Sequence, residues 1–145
     1  MARPQANRVV NGTYGTVWVG GELWAEVDSF EAKVTVNYEE VNFANDGATY
    51  EKATGWKGEG KMTIKKIYSR VQRAMAANVR KGIYPRFEIV GKVADPDAHG
   101  TERVAVHDVT IKEFMLLKFE QKTVGSEEIP FAFSDYEPVD TIAPQ

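Results

Sequence analysis

Apolar residues recur with period two over much of this chain, and that period predicts strands. The segment "GTVWVGGELWAEV" holds two apolar runs around Gly20 and Gly21, the signal of a tight hairpin. In "FEAKVTVNY", Phe30, Ala32, Val34, Val36 and Tyr38 share one face and Glu31, Lys33, Thr35 and Asn37 the other, which reads as a half-buried strand. The alternation then dissolves across "EEVNFANDGATYEKATG". Residues 39–55 are therefore expected to form a long loop around the turn-former "NDG", one that carries Val41, Phe43 and Tyr50 and so has apolar surface to offer a partner. Alternation resumes in "WKGEGKMTIKK", where Trp56, Gly58, Gly60, Met62 and Ile64 oppose Lys57, Glu59, Lys61, Thr63 and Lys65. Two glycines on the inward row predict a bend or the close approach of another group.

The period changes to that of a helix after Ser69, a predicted N-cap. Val71, Ala74, Met75, Asn78 and Val79 fall on one face, Arg80 and Lys81 suit the negative end of the dipole, Gly82 is the expected C-terminal glycine, and Pro85 blocks continuation. Strands return in "RFEIVGKVA", break at "DPDAHGTE", continue through "RVAVHDVTIKEFMLLKFEQKTV" and end in "EEIPFAFSDY", with Ile129, Phe131 and Phe133 on one face. The order predicts a mainly β (α+β) protein: an antiparallel β-sandwich or open barrel of about seven strands, capped by one helix. Residues 1–145 read as a single domain with a flexible arm over 1–14 and a similarly flexible tail over 136–145.

Composition narrows the function more than the fold. The net charge of −3 does not mark a nucleic-acid binder, and the lack of cysteine excludes disulfides, thiolate metal sites and a cysteine nucleophile. No apolar run approaches the roughly 20 residues that span a bilayer, so no membrane partner is expected.

Candidate chemistry is sparse. In "RVAVHDVTIKEF", Val104 and Val106 point one way and Val109 and Ile111 the other, so the apolar phase flips at His107 and Asp108. A β-bulge does this, and adjacent residues of a strand face opposite sides and cannot serve as base and orienter. "DPDAHGTE" opens like a calcium loop, but His99 stands at the third ligand position and Val106 where a bidentate glutamate is needed. The glycines of "GWKGEG" precede a strand, so no helix amides stand ready for phosphate. The basic run "KKIYSRVQRAMAANVRKG" reads as the solvated face of the helix. No catalytic residue, metal ligand or cofactor site is expected, and an enzyme is not.

The ordered segments "NGTYGTVWVGGELWAEVDSFEAKV", "TGWKGEGKMTIKKIYSR", "GTERVAVHDVTI" and "EEIPFAFSDYEPVD" resemble the core tail tube family of contractile phage tails, in the branch of PBSX-type defective prophages and R-type bacteriocins. The resemblance runs from about Asn11 to Asp140. It implies a structural subunit that forms hexameric rings, stacked into a hollow tube inside a contractile sheath, with sheath protein, baseplate and tail terminator proteins as partners and DNA only as passing cargo. It also implies a place in the tail tube of a virion or bacteriocin particle, assembled in the bacterial host cytoplasm.

Under that resemblance the polar rows Lys33, Thr35, Asn37 and Lys57, Glu59, Lys61, Thr63 are expected to line the lumen, and Val41, Phe43 and Tyr50 to meet the next ring. These lumen rows are slightly basic, and Glu120, Glu127 and Glu128 are the acidic alternatives for a channel that conducts DNA. Two other readings stay open: the tube subunit of a bacterial secretion system, and a monomeric β-sandwich binding module. The module requires Trp18, Trp24 or Trp56 to cluster on one surface.

Overall fold

A computed structural model describes residue 3 and residues 5–144; the expectations for residues 1, 2, 4 and 145 lie outside it. Gly20 and Gly21 both take the positive φ that a two-residue hairpin turn demands, joining β1 (Gly15–Val19) to β2 (Glu22–Leu23). Next come β3 (Val27–Asn42) and β4 (Thr49–Lys65), which pair antiparallel from Val27↔Ile64 to Asn42↔Thr49. Residues 39–42 and 49–55 are thus strand, not loop, and only 43–48 turn. The sequence concealed this for a physical reason. This end of the ladder stands in solvent, so burial imposes no period on it, and a register shift beside Asn37 breaks the phase.

Helix α1 (Arg70–Arg80) buries Val71 and Met75 against the sheet. Ser69 occupies the N-cap position, but its side chain makes no capping bond, contrary to expectation. The C-terminal end closes as read. Gly82 adopts φ 76°, its N–H reaches the Val79 carbonyl, and the Ile83 N–H reaches that of Asn78 at 2.8 Å, a Schellman motif. Arg70 fastens the helix to the sheet: its Nε donates to buried Glu26 at 2.8 Å, it pairs with Glu22, and its guanidinium lies over Trp24.

After β5 (Phe87–Val93) comes β6 (Glu102–Ile111), which carries the anticipated phase flip. Asp108 takes φ 55°, and the β5 register slips between Ile89↔Val106 and Phe87↔Val109. The bulge lets both Val106 and Val109 enter the core. It also divides the strand between neighbours: Arg103–His107 pair with β8 (Asp135–Asp140), Thr110 and Ile111 with β7 (Ser126–Phe133).

Two sequence expectations fail here. Strand character stops at Ile111, and 112–125 form an irregular segment whose apolar residues other than Phe114 mostly face solvent. The tail over 136–145 is partly structured, because Tyr136–Asp140 belong to β8, held by backbone pairing rather than buried side chains.

The strand order is β2-β1-β5-β6-β7-β4-β3, with β8 also on β6. This mainly antiparallel sheet folds over a core of Met62, Ile64, Ile89, Val106, Val109, Ile129 and Phe131 and remains open between β1 and β3. Close approach explains the inward glycines: the Phe133 ring lies over Gly58 and the Phe131 ring over Gly60. An open groove of about 730 Å³ marks the seam, lined by Trp24, Phe30 and Val104 among others, and Phe30 reaches across it to Gly91.

Candidate functional site: a polar sheet face and a projecting hairpin

The register of β3, β4 and β7 gathers the predicted polar rows onto one face. Glu31 lies opposite Lys61, Lys33 opposite Glu59, Thr35 opposite Lys57, and Ser29 opposite Thr63, which in turn faces Glu128 on β7. Asn37 continues the row opposite Gly55. The other face of these strands carries Phe30, Met62 and Ile129 into the core, so the polar face looks away from it.

Its charges interlock. Lys112, just beyond β6, donates to Glu59 at 3.3 Å, Lys57 lies 4.0 Å from the same carboxylate, and Lys61 lies 4.0 Å from Glu128. The Lys112 hydrogen bond and charge, helped by Lys57 and Lys33, hold the Glu59 carboxyl below its ordinary range. Glu31 and Glu128 bring the acidic residues to three with Glu59, against Lys33, Lys57, Lys61 and Lys112, so the face stays slightly basic but most of its lysine charge is offset. Sequence reasoning set Glu31 aside and offered Glu128 only as an alternative. The alternation of Glu128 with buried Ile129 was the signal that places it here. Glu127 is not on this face: it is buried and pairs with Lys66 at 3.4 Å. Glu120 sits in the irregular segment 112–125.

Beyond Gly58, which faces Phe133 at the end of β7, the β3–β4 ladder continues alone. Thr35 to Asn42 project as a two-stranded hairpin, roughly 26 Å of reach at about 3.3 Å per residue. Val41 and Tyr50 oppose each other at its end, on the polar side of the sheet, and the Phe43 ring meets Tyr50 edge-on at 5.5 Å, so the structure brings all three together. The tip is tied down by its own hydrogen bonds. Tyr50 Oη donates to Asp46 at 2.6 Å, and the Ala48 N–H donates to the same carboxylate at 2.9 Å. These bonds lower the Asp46 pKa, the tyrosine's contribution being the larger, and the carboxylate raises that of Tyr50.

The histidine and aspartate of β6 stay apart, as their adjacency requires. His107 Nδ1 lies 3.1 Å from Glu88, while Asp108 pairs with Arg86 at 3.1 Å and accepts from Ser134. Asp95 is an anchor for its loop: its carboxylate accepts the N–H of Asn11 at 3.0 Å and of Asp97 at 2.9 Å. Among the described residues, no three His, Asp or Glu side chains are grouped to hold a metal ion, and no helix is long and apolar enough to cross a membrane. Trp24 is buried under Arg70, so it joins no surface cluster with Trp56, whose ring instead meets Tyr136 at 5.3 Å.

Residues 2–140 match the model of a family described as phage tail tube protein. The chain is 32% identical over 135 residues to the phage-like element PBSX protein XkdM of Bacillus subtilis strain 168, covering 92% of each. Its fold is similar to a chain of the anti-feeding prophage tube-terminating cap (TM-score 0.70, 10% identity, covering 99% of this chain and 95% of that one). It is also similar to a chain of the sheath-tube complex of an extracellular contractile injection system (TM-score 0.68, 9% identity, 90% and 92%).

Proposed function

The chain belongs to the phage tail tube protein family, and on that premise we propose that it builds the inner tube of a contractile phage tail or R-type bacteriocin. Copies close into hexameric rings, and the rings stack around a central channel inside a sheath. The observation that carries this reading is the unclosed sheet. β3 is an edge strand of 16 residues paired on one side only, an aggregation hazard unless a neighbour covers it. Lateral closure of a ring gives every copy that neighbour.

In the closed ring, the face holding Lys33, Thr35, Asn37, Lys57, Glu59, Lys61 and Thr63 lines the lumen, joined by Glu31 and Glu128. Lysines largely offset by glutamates suit a channel wall, because they leave passing phosphate little net attraction. Val41, Phe43 and Tyr50, at the end of the projecting hairpin, meet the next ring. The role is structural, not catalytic, and the partners are the sheath, baseplate and terminator proteins, the components with which the solved neighbours are described.

Negative-stain electron microscopy of the purified protein across a concentration series tests this. Rings or hollow tubes with a central channel and six-fold end views are the expected result. Compact single particles at every concentration, also in the presence of the particle's own baseplate, would overturn it.

A further inference from the structure

The projecting hairpin has a second face, and its chemistry is unresolved within the chain. On the core side of β3 and β4, from the last rung shared with β7 outward, Val34, Val36, Tyr38 and Trp56 remain substantially exposed, although the Trp56 ring also meets Tyr136. An isolated two-stranded ladder is marginal in water, so this apolar face needs a cover. Further out on the same face, Glu40 lies directly opposite Glu51. Like charges at directly paired positions repel, and no cation among the described residues forms an ion pair with either.

The complement lies at the other end of the molecule. β6 runs antiparallel to β7, and its pairing passes from Thr110↔Ala132 to Ile111↔Phe131, away from the hairpin. The segment that follows, 112–125, therefore emerges at the opposite end of the sheet, where the Lys66 N–H at the end of β4 donates to the Gly125 carbonyl. There Leu116, Leu117, Phe119 and Val124 stand out in solvent, Leu117 at 80% and Val124 at 84% exposure. Lys118 and Lys122 are interleaved with them, with Glu120 between the two, and none of these three forms an ion pair among the described residues.

We infer that the core-side face of the hairpin, with its acidic pair Glu40 and Glu51, docks on segment 112–125 of a second copy of this chain, where Lys118 and Lys122 neutralise the acids. The occupant is a second copy because both halves of the match, an exposed apolar stretch carrying the unpaired Lys118 and Lys122 and an exposed apolar face carrying the unpaired Glu40 and Glu51, belong to one sequence. They lie at opposite ends of the sheet and cannot meet within a chain. A contact between unlike patches at opposite ends is head-to-tail, and repeated without closure it propagates an open stack. This rests on the tube reading and deepens it by naming what the hairpin meets in the next ring.

The lack of cysteine permits a clean test. Glu51→Cys and Lys118→Cys are introduced singly and together, and assembled protein is oxidised and run on denaturing gels. The double variant is expected to give a ladder of covalent oligomers, an equal mixture of the two singles only dimers, and each single alone none. In parallel, Glu40→Lys with Glu51→Lys should raise the concentration needed for tubes by roughly tenfold or more, and adding Lys118→Glu with Lys122→Glu should restore it. Circular dichroism of each variant monomer checks that the fold is kept. Tubes that form without the cross-link, or a Glu51→Cys variant that dimerises alone, overturn this pairing while leaving the tube reading intact. Cross-linking of Glu51→Cys to Arg3→Cys or Arg8→Cys instead assigns the hairpin face to the amino-terminal arm and also overturns it. Failure of the unaltered chain to assemble at all overturns the tube reading, and this pairing with it.

Discussion

Gly60 shows how a single position sets the shape of the sheet. It pairs with Ala32 on one side and Phe131 on the other, and a Cβ there would land on the Glu31 carbonyl oxygen and within 2.7 Å of the Phe131 ring. Neither obstacle yields easily, since one is backbone and the other a fully buried ring. Gly60→Ala should therefore destabilise the monomer by about 1–3 kcal/mol through overpacking. In a domain of this size that lowers the melting midpoint by roughly 5–10 °C, read by thermal circular dichroism. Gly47, in the turn of the hairpin, is the control: a Cβ there meets nothing within 4 Å, so Gly47→Ala should shift stability by less than about 0.5 kcal/mol. Equal effects at the two sites would refute the close-approach explanation. The glycines at 58 and 60 were legible in the sequence because they interrupt an otherwise apolar inward row. The acidic partners of the polar face were harder to read, because pairing across strands is a matter of register and not of spacing along the chain.

At the scale of the element, the hairpin tip depends on one carboxylate. Asp46 accepts from Tyr50 and from the Ala48 N–H, and its pKa is depressed first by the former and then by the latter. The order it confers is present while Asp46 is ionised and is lost as the pH falls through that lowered value. Tyr50 behaves in the opposite sense: its pKa is raised by the carboxylate, so its hydrogen bond is present below the ordinary tyrosine range and is lost as the pH rises through the elevated value. Between about pH 4 and pH 10 the tip should hold one conformation. Tyr50→Phe removes the larger cause, so the Asp46 carboxyl should titrate closer to the ordinary aspartate range in a carboxyl-detected NMR titration. An unmoved titration would mean that the hydroxyl contact does not persist in solution. This element was the one least visible in the sequence. The helix, the β1–β2 turn and the β6 bulge left clear marks, since each is fixed by burial or by a required backbone angle. The hairpin beyond Gly58 and strand β8 are held by backbone pairing with their side chains in solvent, and neither apolar period nor composition records such pairing. Segment 112–125 misleads in the other direction. Its apolar density resembles a core strand, yet most of it faces outward, where the proposed pairing would cover it with another copy.

For the whole molecule, the open sheet divides the labour between two faces and two ends, and the family resemblance visible in the sequence pointed to the assembly before any contact could be named. The lumen assignment is the claim that only the assembled state can test. Lys33, Lys57 and Lys61 each lie beside an acidic residue on the polar face, and their side chains are solvent-exposed, so each pair contributes at most about 1 kcal/mol to the monomer. The triple variant Lys33→Glu, Lys57→Glu, Lys61→Glu should accordingly remain folded, with a melting curve close to that of the parent chain. Its consequence lies in the tube. Reversing three charges in every copy turns a nearly balanced wall into a strongly anionic one, and a channel surrounded by low-dielectric protein concentrates that field on its interior. A small cationic gold probe added to formed tubes should then accumulate inside the variant channel and leave the parent channel empty, as seen by electron tomography. The accumulation should fade as salt is raised, because the Debye length falls from about 10 Å at 0.1 M to about 3 Å at 1 M. Gold arrayed along the outside of the variant tube would place the polar face on the outer wall and remove Lys33, Lys57 and Lys61 from the channel.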